Sequence, residues 1–291
     1  MLYRGDCCDV IHGIPDESIG FTIFSPPFAS LYTYSDSPRD MGNSADYGQF
    51  WTHFNYLIPQ LLRVTMPGRL CSVHCMNLPT TKAHHGEIGI QDFRGDIIRA
   101  FVDAGWIYHS EVCIWKDPVT AMQRTKALGL LHKQIVKDSC MSRMGIPDYV
   151  CTFRKPGANP RPVAGRLHRF VGDDSFTNDG DLSIDIWQRY ASPIWSDIRP
   201  NRTLQYRAAR HENDERHICP LQLDVIERCL DLWSIEGDSV LSPFAGIGSE
   251  GWCSVLRGRR FVGIELKDTY FNQAAGNLED AESQLKQTQL F

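Results

Sequence analysis

Length, composition and charge exclude several classes of protein. The chain has 291 residues, 42% of them hydrophobic and 22% charged, which suffices for a full core and argues against long-range disorder. No apolar run approaches the roughly 20 residues of a membrane span, and the polar N-terminus does not resemble a signal peptide, so we expect a cytoplasmic protein.

The ten cysteines do not form a recognisable metal or disulfide pattern. No pair has CxxC spacing; Cys7 and Cys8 are adjacent, and Cys71 and Cys75 flank His74 on a predicted buried strand. In a reducing compartment such residues are expected to be core thiols, so the sequence predicts no metal site.

Positive charge is concentrated in one segment. From Lys116 to Phe170, eleven Lys and Arg residues stand against three acidic ones, a net of +8 that leaves −13 for the rest of the chain. A basic segment in an acidic chain is typical of a protein that binds a polyanion, most simply nucleic acid. The alternative is a solvated surface with scattered positive charges.

The first 115 residues predict strands that alternate with helices, as in an α/β sheet. The elements expected in chain order are a strand at 2–4, a turn at 5–6, a strand at 21–24, a mobile loop at 29–47, an amphipathic helix at 48–66 with a kink or an earlier start caused by Pro59, a strand at 70–75, a helix at 92–104 and a strand at 106–115.

The periodicity weakens between residues 116 and about 201 and then returns. The weaker part predicts only a helix at 125–137 and a strand at 149–153. The regular part predicts a helix at 220–233, a strand at 240–241, a glycine-rich turn followed by a helix, a strand at 261–264 and a last helix at 268–282.

The strand at 21–24 ends in an unusual group, Ser25-Pro26-Pro27-Phe28. The prolines fix the backbone and remove two N–H donors, so the local carbonyls and the Ser25 hydroxyl form a rigid row of acceptors beside the Phe28 ring. Such a row suits a planar group that carries an –NH2, such as a nucleobase stacked on the ring. A proline-rich turn leaving a sheet is the alternative.

A second polar corner follows the strand at 240–241. The segment Ser242-Pro243-Phe244-Ala245-Gly246-Ile247-Gly248-Ser249 opens a helix, and Glu265 ends the next strand. Glycines let a ligand approach the backbone, and a strand-end carboxylate can accept both hydroxyls of a ribose. This order predicts a nucleoside-type cofactor. Phosphate is less expected, because the turn has neither Lys nor Arg and no GKS or GKT signature.

Together these motifs resemble the beta group of the S-adenosylmethionine-dependent DNA amino-methyltransferases, the N6-adenine/N4-cytosine family. In that group the [DSN]PP[YFW] motif comes first, a target-recognition region lies in the middle, and a DPFxGxGT cofactor motif comes near the C-terminus. SPPF at 25–28, the basic segment at about 116–200 and SPFAGIGSEG at 242–251 have this order. The smaller matches are Gly5-Asp6-Cys7, the segment from His217 to Gln222, and Gly263 to Leu266.

The resemblance implies a fold, a division of the chain and a cofactor. The fold is α/β, a Rossmann-like methyltransferase fold with a mixed, mostly parallel sheet and an inserted target-recognition region. The chain divides into a catalytic half at 1–115, a basic target-recognition region at 116–205 and a cofactor-binding half at 206–291. The implied cofactor is S-adenosyl-L-methionine, and its expected contacts are Asp6, Cys7, Pro220, Leu221, Gln222, Phe244, Ala245, Gly246, Gly248, Ser249 and Glu265.

Three positions depart from the family pattern. Ser25 and Ser242 stand where the family usually has Asp, and Ser249-Glu250 replaces the usual Thr. The change at Ser242 is expected to weaken or redirect contacts to the methionine end of the cofactor.

The implied chemistry is methyl transfer to an exocyclic amine, whose lone pair is delocalised into the ring. Ser25 Oγ and the Pro26 carbonyl, as acceptors of its two N–H bonds, would move the nitrogen toward sp3 geometry. The base must be flipped out of a duplex to reach this corner, and Phe28 would stack on it. The expected catalytic residues are Ser25, Pro26, Pro27 and Phe28. The loop at 29–47 is a candidate lid, with an ordinary exposed loop as the alternative.

The target base stays open at this level. In this family SPP is more typical of N4-cytosine enzymes, so Ser25 taken alone favours cytosine. Because Ser also replaces Asp at Ser242, the substitution is a weaker marker, and N6-adenine enzymes are the commoner members of the group. The sequence therefore slightly favours adenine.

The expected partner is double-stranded DNA. The candidate contacts are Tyr32, Tyr34, Arg39, Arg124, Lys126, Lys133, Lys137, Arg143, Arg154 and Lys155. By analogy with the group, a homodimer is expected, and any restriction endonuclease partner would be a separate protein. An RNA or small-molecule methyltransferase and a catalytically dead DNA-binding module are the alternatives.

Overall fold

The computed structural model describes residues 1–27, 39–44, 46–119, 130, 132–164, 183–205 and 220–288. The strands in these ranges are β1 Leu2–Arg4, β2 Ile19–Phe24, β3 Thr65–Met76, β4 Leu78–Thr80, β5 Gly89–Gln91, β6 Ile107–Ile114, β7 Asp148–Arg154, β8 Ile194–Trp195, β9 Ser239–Ser242 and β10 Arg260–Glu265. The α-helices are α1 Cys7–Val10, α2 Tyr47–Val64, α3 Lys82–His85, α4 Phe93–Asp103, α5 His132–Lys137, α6 Ser183–Tyr190, α7 Leu223–Trp233, α8 Ser249–Leu256 and α9 Asp268–Thr288. Every helix in these ranges is too short or too polar to cross a bilayer.

Eight strands form one sheet in the order β1-β10-β9-β2-β3-β7-β6-β8. Neighbouring strands pair in parallel except at β7, which is antiparallel to β3 on one side and to β6 on the other. β4 and β5 form a separate antiparallel pair. The predicted α/β fold with a mixed, mostly parallel sheet is therefore confirmed.

Each face of the sheet is covered by its own apolar cluster. α2 and α4 cover one face through side chains such as Phe54 and Phe101, whereas α7 covers the other through Val225 and Leu230. All four side chains are fully buried. α2 begins at Tyr47 and continues through Pro59 to Val64. Burial from both sides explains why all six residues of β2 are buried.

Two strands of the sheet come from the target-recognition region predicted at 116–205. β7 lies between β3 and β6, and β8 pairs with β6 at the edge. The segment that the sequence assigns to target recognition therefore also contributes to the core sheet. The helix predicted at 125–137 is described only over α5, and most of the loop predicted at 29–47 lies outside the described residues.

A buried ion pair joins four segments near the edge where the parallel strands begin. Arg69 on β3 contacts the carboxylate of Asp238 just before β9, and it donates hydrogen bonds to the carbonyls of Gly20 (2.8 Å) and Arg161 (2.9 Å). The two charged side chains are 1% and 0% exposed. Charges buried this deeply need partners that offset their lost hydration, so the pair holds β2, β3 and β9 together.

Removing one partner of this pair should destabilise the fold strongly. Asp238→Ala leaves the Arg69 guanidinium buried without its counter-ion, and we expect the free energy of unfolding to fall by about 3–5 kcal/mol. Arg4→Gln, which breaks an exposed 3.4 Å pair with Asp268, should have little effect. Urea denaturation followed by circular dichroism measures both variants. Equal losses would contradict this role for Asp238.

Candidate active site

The parallel strands place four polar residues along one edge of the sheet. β1, β10, β9 and β2 are neighbours and run in the same direction. The residues that end or follow them, Asp6, Glu265, Ser242 and Ser25, therefore lie at their carboxyl ends. Ligand sites of open α/β sheets form at this edge.

The turn between β9 and α8 is left-handed at two glycines. Gly246 and Gly248 have φ angles of 53° and 86°, which other residues rarely adopt. A Cβ atom on Gly246 would meet nothing within 4 Å, whereas one on Gly248 would lie 3.2 Å from Ala274 on α9. Gly246 therefore faces open space, and Gly248 starts α8 close to α9.

Glu265 closes this turn from the end of β10. Its two carboxylate oxygens accept hydrogen bonds from the backbone N–H groups of Gly246 and Lys267, both at 2.8 Å. Burial raises the pKa of Glu265 to about 7, although both hydrogen bonds favour the ionised form. Each oxygen keeps a second lone pair, so the carboxylate can still accept hydrogen bonds from two adjacent hydroxyls.

Three further polar side chains are buried beside the turn. Ser249 and Glu250 begin α8 at 2% and 4% exposure, and Ser242 is fully buried. Within the described residues, Ser242 Oγ and Ser249 Oγ have no hydrogen-bond partner. Burial, reinforced by the nearby Glu265 carboxylate, raises the pKa of Glu250 to about 8. The corner is polar, and some of its hydroxyl groups lack hydrogen-bond partners within the described residues, which fits a pocket for a polar ligand.

The N-terminal residues predicted to bind the cofactor lie next to β10. The carboxylate of Asp6 accepts a hydrogen bond from Cys8 N–H (2.9 Å) at the start of α1, and Gly5 N–H donates to the Glu265 carbonyl (2.9 Å). Donor atoms of Asp6, Cys7 and Cys8 lie within 4.8 Å of one another, the one cluster of metal-ligand type in the described ranges. One carboxylate oxygen of Asp6 caps α1.

The remaining residues predicted to bind the cofactor lie just before α7 and just after β9 in the chain. Ala245 N–H donates to the Ile264 carbonyl (2.9 Å), and the Phe244 ring lies 5.7 Å from that of Phe24. Pro220 and Gln222 flank Leu221, which is buried in the apolar cluster of α7. The segment at 217–219, also part of the resemblance, lies outside the described residues.

The Ser25 corner contains a chain of polar contacts that the sequence did not predict. Ser25 Oγ lies 3.1 Å from His74 Nδ1, and His74 Nε2 lies 3.2 Å from Oδ2 of Asp148. The Lys116 ammonium donates to Oδ1 of Asp148 at 2.5 Å. Burial by itself would raise the pKa of Asp148, but Lys116 and His74 lower it to about 2, so Asp148 is an anion at neutral pH.

The members of this chain come from separate strands. His74 lies on β3 beside the end of β2, Asp148 begins β7, and Lys116 follows β6 by two residues. A histidine within an apolar strand was a signal in the sequence, but only the pairing of the strands identifies its partners. Pro26 is buried and Pro27 half-buried, whereas Phe28 lies outside the described residues.

Part of the predicted DNA contacts lies on the described surface. Lys133 and Lys137 are exposed on α5, and the Arg143 guanidinium donates to the Met144 carbonyl (3.0 Å). Arg39 is paired with the carboxylates of two acidic residues at α1. The contacts predicted at Tyr32, Tyr34, Arg124 and Lys126 lie outside the described residues.

Arg154 and Lys155 are not brought to the Ser25 corner. They lie at the far end of β7, six residues or about 20 Å from Asp148. Lys155 Nζ donates to the Thr65 carbonyl (2.8 Å) and pairs with Glu17 at 3.2 Å. These contacts give Lys155 a structural role at the edge of the sheet where β3 begins, opposite to the polar corners.

The fold and the two corners define an open α/β protein with a ligand site at the carboxyl edge of its sheet. The sequence model of the N6/N4 DNA methylases matches residues 19–276. The chain belongs to this DNA methylase family.

Individual relatives cover nearly the whole chain. The Type II methyltransferase M.BamHI of Bacillus amyloliquefaciens is 24% identical over 98% of this chain, which spans 56% of that relative's length. The Thermus thermophilus protein TTHA0409, complexed with S-adenosyl-L-methionine, has a TM-score of 0.66 at 21% identity, covering 97% of this chain and 95% of that chain. The cytosine-N4-specific PvuII DNA methyltransferase has a TM-score of 0.64 at 14% identity, covering 98% and 91%. At these identities the two structures establish a shared fold.

The buried carboxyl of Glu250 should make the unliganded protein less stable at high pH. Its pKa rises from about 4.3 in an unfolded chain to about 8 when folded, so the folded state binds the proton more tightly and loses stability between these pH values. Glu250→Gln should remove this loss. Urea denaturation at pH 5 and pH 9 measures it, with the exposed Glu279→Gln as control. An unchanged pH dependence in Glu250→Gln would contradict the assignment.

Proposed function

We propose that this protein transfers a methyl group from S-adenosyl-L-methionine to the exocyclic amino group of a base in duplex DNA. The observation that carries the proposal is the adjacency of the two corners. β2 pairs directly with β9, with Thr22 opposite Leu241, so Ser25 and the glycine turn follow neighbouring strands. A donor of methyl groups and an amine held by acceptors would meet between them.

The glycine corner supplies what a nucleoside cofactor requires. Glu265 accepts hydrogen bonds from ribose hydroxyls, and Gly246 leaves room for the ligand against the backbone. The Ser249 hydroxyl, which has no hydrogen-bond partner among the described residues, offers a further polar contact. When bound, S-adenosyl-L-methionine supplies an electrophilic methyl group on a sulfonium. The crystallised complex of TTHA0409 with this molecule supports the choice.

Ser25 and Pro26 hold the amine that receives the methyl group. An exocyclic nitrogen is a weak nucleophile because its lone pair is shared with the ring. Ser25 Oγ and the Pro26 carbonyl accept its two N–H bonds and turn the lone pair outward, which is positioning and electrostatic catalysis without a covalent intermediate. A base reaches such a corner only when it is flipped out of the duplex.

The DNA partner is supported by charge and by the relatives. The segment from Lys116 to Phe170 carries a net charge of +8, which suits a phosphate backbone. Relatives such as M.BamHI and M.BglII are named Type II methyltransferases. By analogy with these relatives, we also propose a separate restriction endonuclease as partner, a homodimer and a cytoplasmic location.

Ser25→Ala should abolish transfer and spare cofactor binding. Without the Oγ acceptor the amine is held at one N–H only, and we expect the transfer rate to fall at least about a hundredfold. Tritium transfer from labelled S-adenosyl-L-methionine to duplex DNA measures activity, and calorimetry measures binding. The matched control is Ser18→Ala, whose exposed hydroxyl donates only to the Pro15 carbonyl (2.7 Å).

The same assay separates the alternatives. Transfer to structured RNA but not to duplex DNA would identify an RNA methyltransferase. Retention of DNA without binding of S-adenosyl-L-methionine would identify an inactive DNA-binding module. Ser25→Ala with near wild-type transfer would overturn the role given to Ser25.

For the target base we propose N4 of cytosine, with N6 of adenine as the alternative that the sequence slightly favours. The argument against cytosine treats the replacement of Asp by Ser at Ser25 and at Ser242 as one change that the two motifs share. Their surroundings differ: Ser242 is fully buried without a hydrogen-bond partner in the described residues, whereas Ser25 contacts His74 in the corner. Ser25 therefore keeps its weight as a marker. The cytosine-N4 specificity of the PvuII enzyme supports the same choice.

Liquid chromatography of nucleosides from enzyme-treated, digested DNA should show N4-methylcytosine. The DNA is taken from a host without its own methylation, so that every methylated nucleoside derives from the added protein. Ser25→Ala serves as the matched blank. N6-methyladenine as the only product would reverse the choice of base and leave the proposed reaction intact.

A further inference from the structure

We propose that His74, Asp148 and Lys116 form a proton relay behind Ser25, in which His74 orients the Ser25 hydroxyl and receives a proton through it during methyl transfer. The proposal rests on the proposed function, because it gives the relay its substrate. The contacts that carry it are the 3.1 Å approach of Ser25 Oγ to His74 Nδ1 and the 3.2 Å approach of His74 Nε2 to Asp148.

The carboxylate of Asp148 fixes the tautomer of His74. The 3.2 Å approach of the Asp148 carboxylate to Nε2 lies outside hydrogen-bond geometry, yet the negative charge still favours the proton on that nitrogen, since the alternative places a ring lone pair against the carboxylate. Nδ1 is then left as an acceptor. The hydrogen bond between Ser25 and His74 therefore runs from the serine hydroxyl to Nδ1.

This direction makes Ser25 a pure acceptor toward the substrate. A hydroxyl has one donor and two lone pairs, and its single proton is now committed to His74. Both lone pairs remain for an N–H of the amine. The serine can thus replace the carboxylate usual at this position in the family without presenting a proton of its own to the nitrogen.

Methyl transfer to the amine releases one proton, which needs an acceptor. The nitrogen lone pair forms the new N–CH3 bond, and the electrons of the CH3–S bond return to sulfur, which leaves the sulfonium as a neutral thioether. The nitrogen then carries one proton too many. That proton passes to Ser25 Oγ while the hydroxyl proton moves to His74 Nδ1, so the products are the methylated amine and an imidazolium.

The surroundings of His74 suit this imidazolium. His74 is 7% exposed and Asp148 3% exposed, so the attraction between ring and carboxylate is little screened by water. In the described part of the chain, the charged groups that face His74 include Asp148 from β7 and, behind it, Lys116 after β6. The Lys116 Nζ atom lies 2.5 Å from Oδ1 of Asp148. It keeps this carboxylate ionised while the His74 ring is still neutral.

A neighbouring pair shows what a merely structural contact looks like in this sheet. Ser72, two residues earlier on β3, shares a 2.9 Å hydrogen bond with Thr152, and both side chains are fully buried. The two hydroxyls of that pair bond to each other and lie away from solvent. His74 lies two residues further along the same strand. Its ring contacts Ser25 in the proposed site on one side and Asp148 on the other.

Single-turnover methyl transfer with His74→Asn and Asp148→Asn tests the relay, with Ser72→Ala as the matched control. Asn at 74 can still accept a hydrogen bond but cannot take up a proton, so we expect a rate about 10²–10⁴-fold lower. Binding of S-adenosyl-L-methionine, measured by calorimetry, should change less than about threefold. Ser72→Ala should transfer at nearly the wild-type rate.

The pH profile adds a readout that a structural role would not change. The wild-type rate should fall on the acid side with unit slope, because a protonated His74 can no longer accept from Ser25. His74→Asn should lack this limb. Asp148→Asn should lower the rate while keeping this limb, since His74 remains but loses the carboxylate that faces Nε2.

Nitrogen-15 NMR of labelled histidines tests the tautomer without any substrate. The His74 signals are assigned by their absence in His74→Asn, and we expect protonated Nε2 and unprotonated Nδ1 at neutral pH. A proton on Nδ1 would overturn the relay. So would an active wild-type protein whose His74→Asn variant has the same rate and pH profile. A wild-type protein that transfers no methyl to DNA while showing the expected tautomer contradicts the proposed function instead.

Discussion

The pairing of β2 with β9 in the middle of the sheet is the constraint on which the site depends. The two strands lie more than 200 residues apart in sequence, yet Phe21 and Thr22 stand opposite Val240 and Leu241. Because the strands are parallel, their carboxyl ends meet at one edge. The ring of Phe24, at the end of β2, contacts that of Phe244 in the glycine turn, so the two corners share an apolar wall.

The opposite edge of the sheet has the complementary task of holding the strands in register. Arg69 and Asp238 are buried there between β3 and the start of β9, and Lys155 ties the end of β7 to the start of β3. These charges stabilise the fold at the edge away from the ligand. At the carboxyl edge, the buried hydroxyls of Ser242 and Ser249 have no hydrogen-bond partner among the described residues.

In the proposed reaction, the Ser25 corner holds its negative charge on a residue that does not itself contact the substrate. A serine hydroxyl is a weaker acceptor than the carboxylate usual at this position in the family. Here the negative charge lies on Asp148, which is reached through His74 and balanced by Lys116. Burial of that carboxylate is tolerated because the Lys116 ammonium pairs with it and the polar His74 ring lies beside it. Asp148 can reach both His74 and Lys116 because β7, although antiparallel and drawn from the basic segment, lies between β3 and β6.

Local signals in the sequence were sufficient for most of the elements. The apolar spacing predicted α2, α4 and α7 because each buries one face against the sheet. The short elements β4, β5, α3 and β8 carry too few residues for a periodic pattern and were missed. The strand at 149–153 was predicted, but its place in the sheet was not, since pairing across a long insertion leaves no local trace.

By itself the sequence determined the two motifs, their order and the class of fold, because prolines, glycines and apolar spacing act on the backbone nearby. It also pointed to Glu265, since a strand-end acid after a glycine turn is a local pattern. Only the tertiary structure decided that His74 and Asp148 stand behind Ser25, and that Arg154 and Lys155 lie far from it. Such contacts depend on which strands become neighbours, and that is set by the packing of the whole sheet.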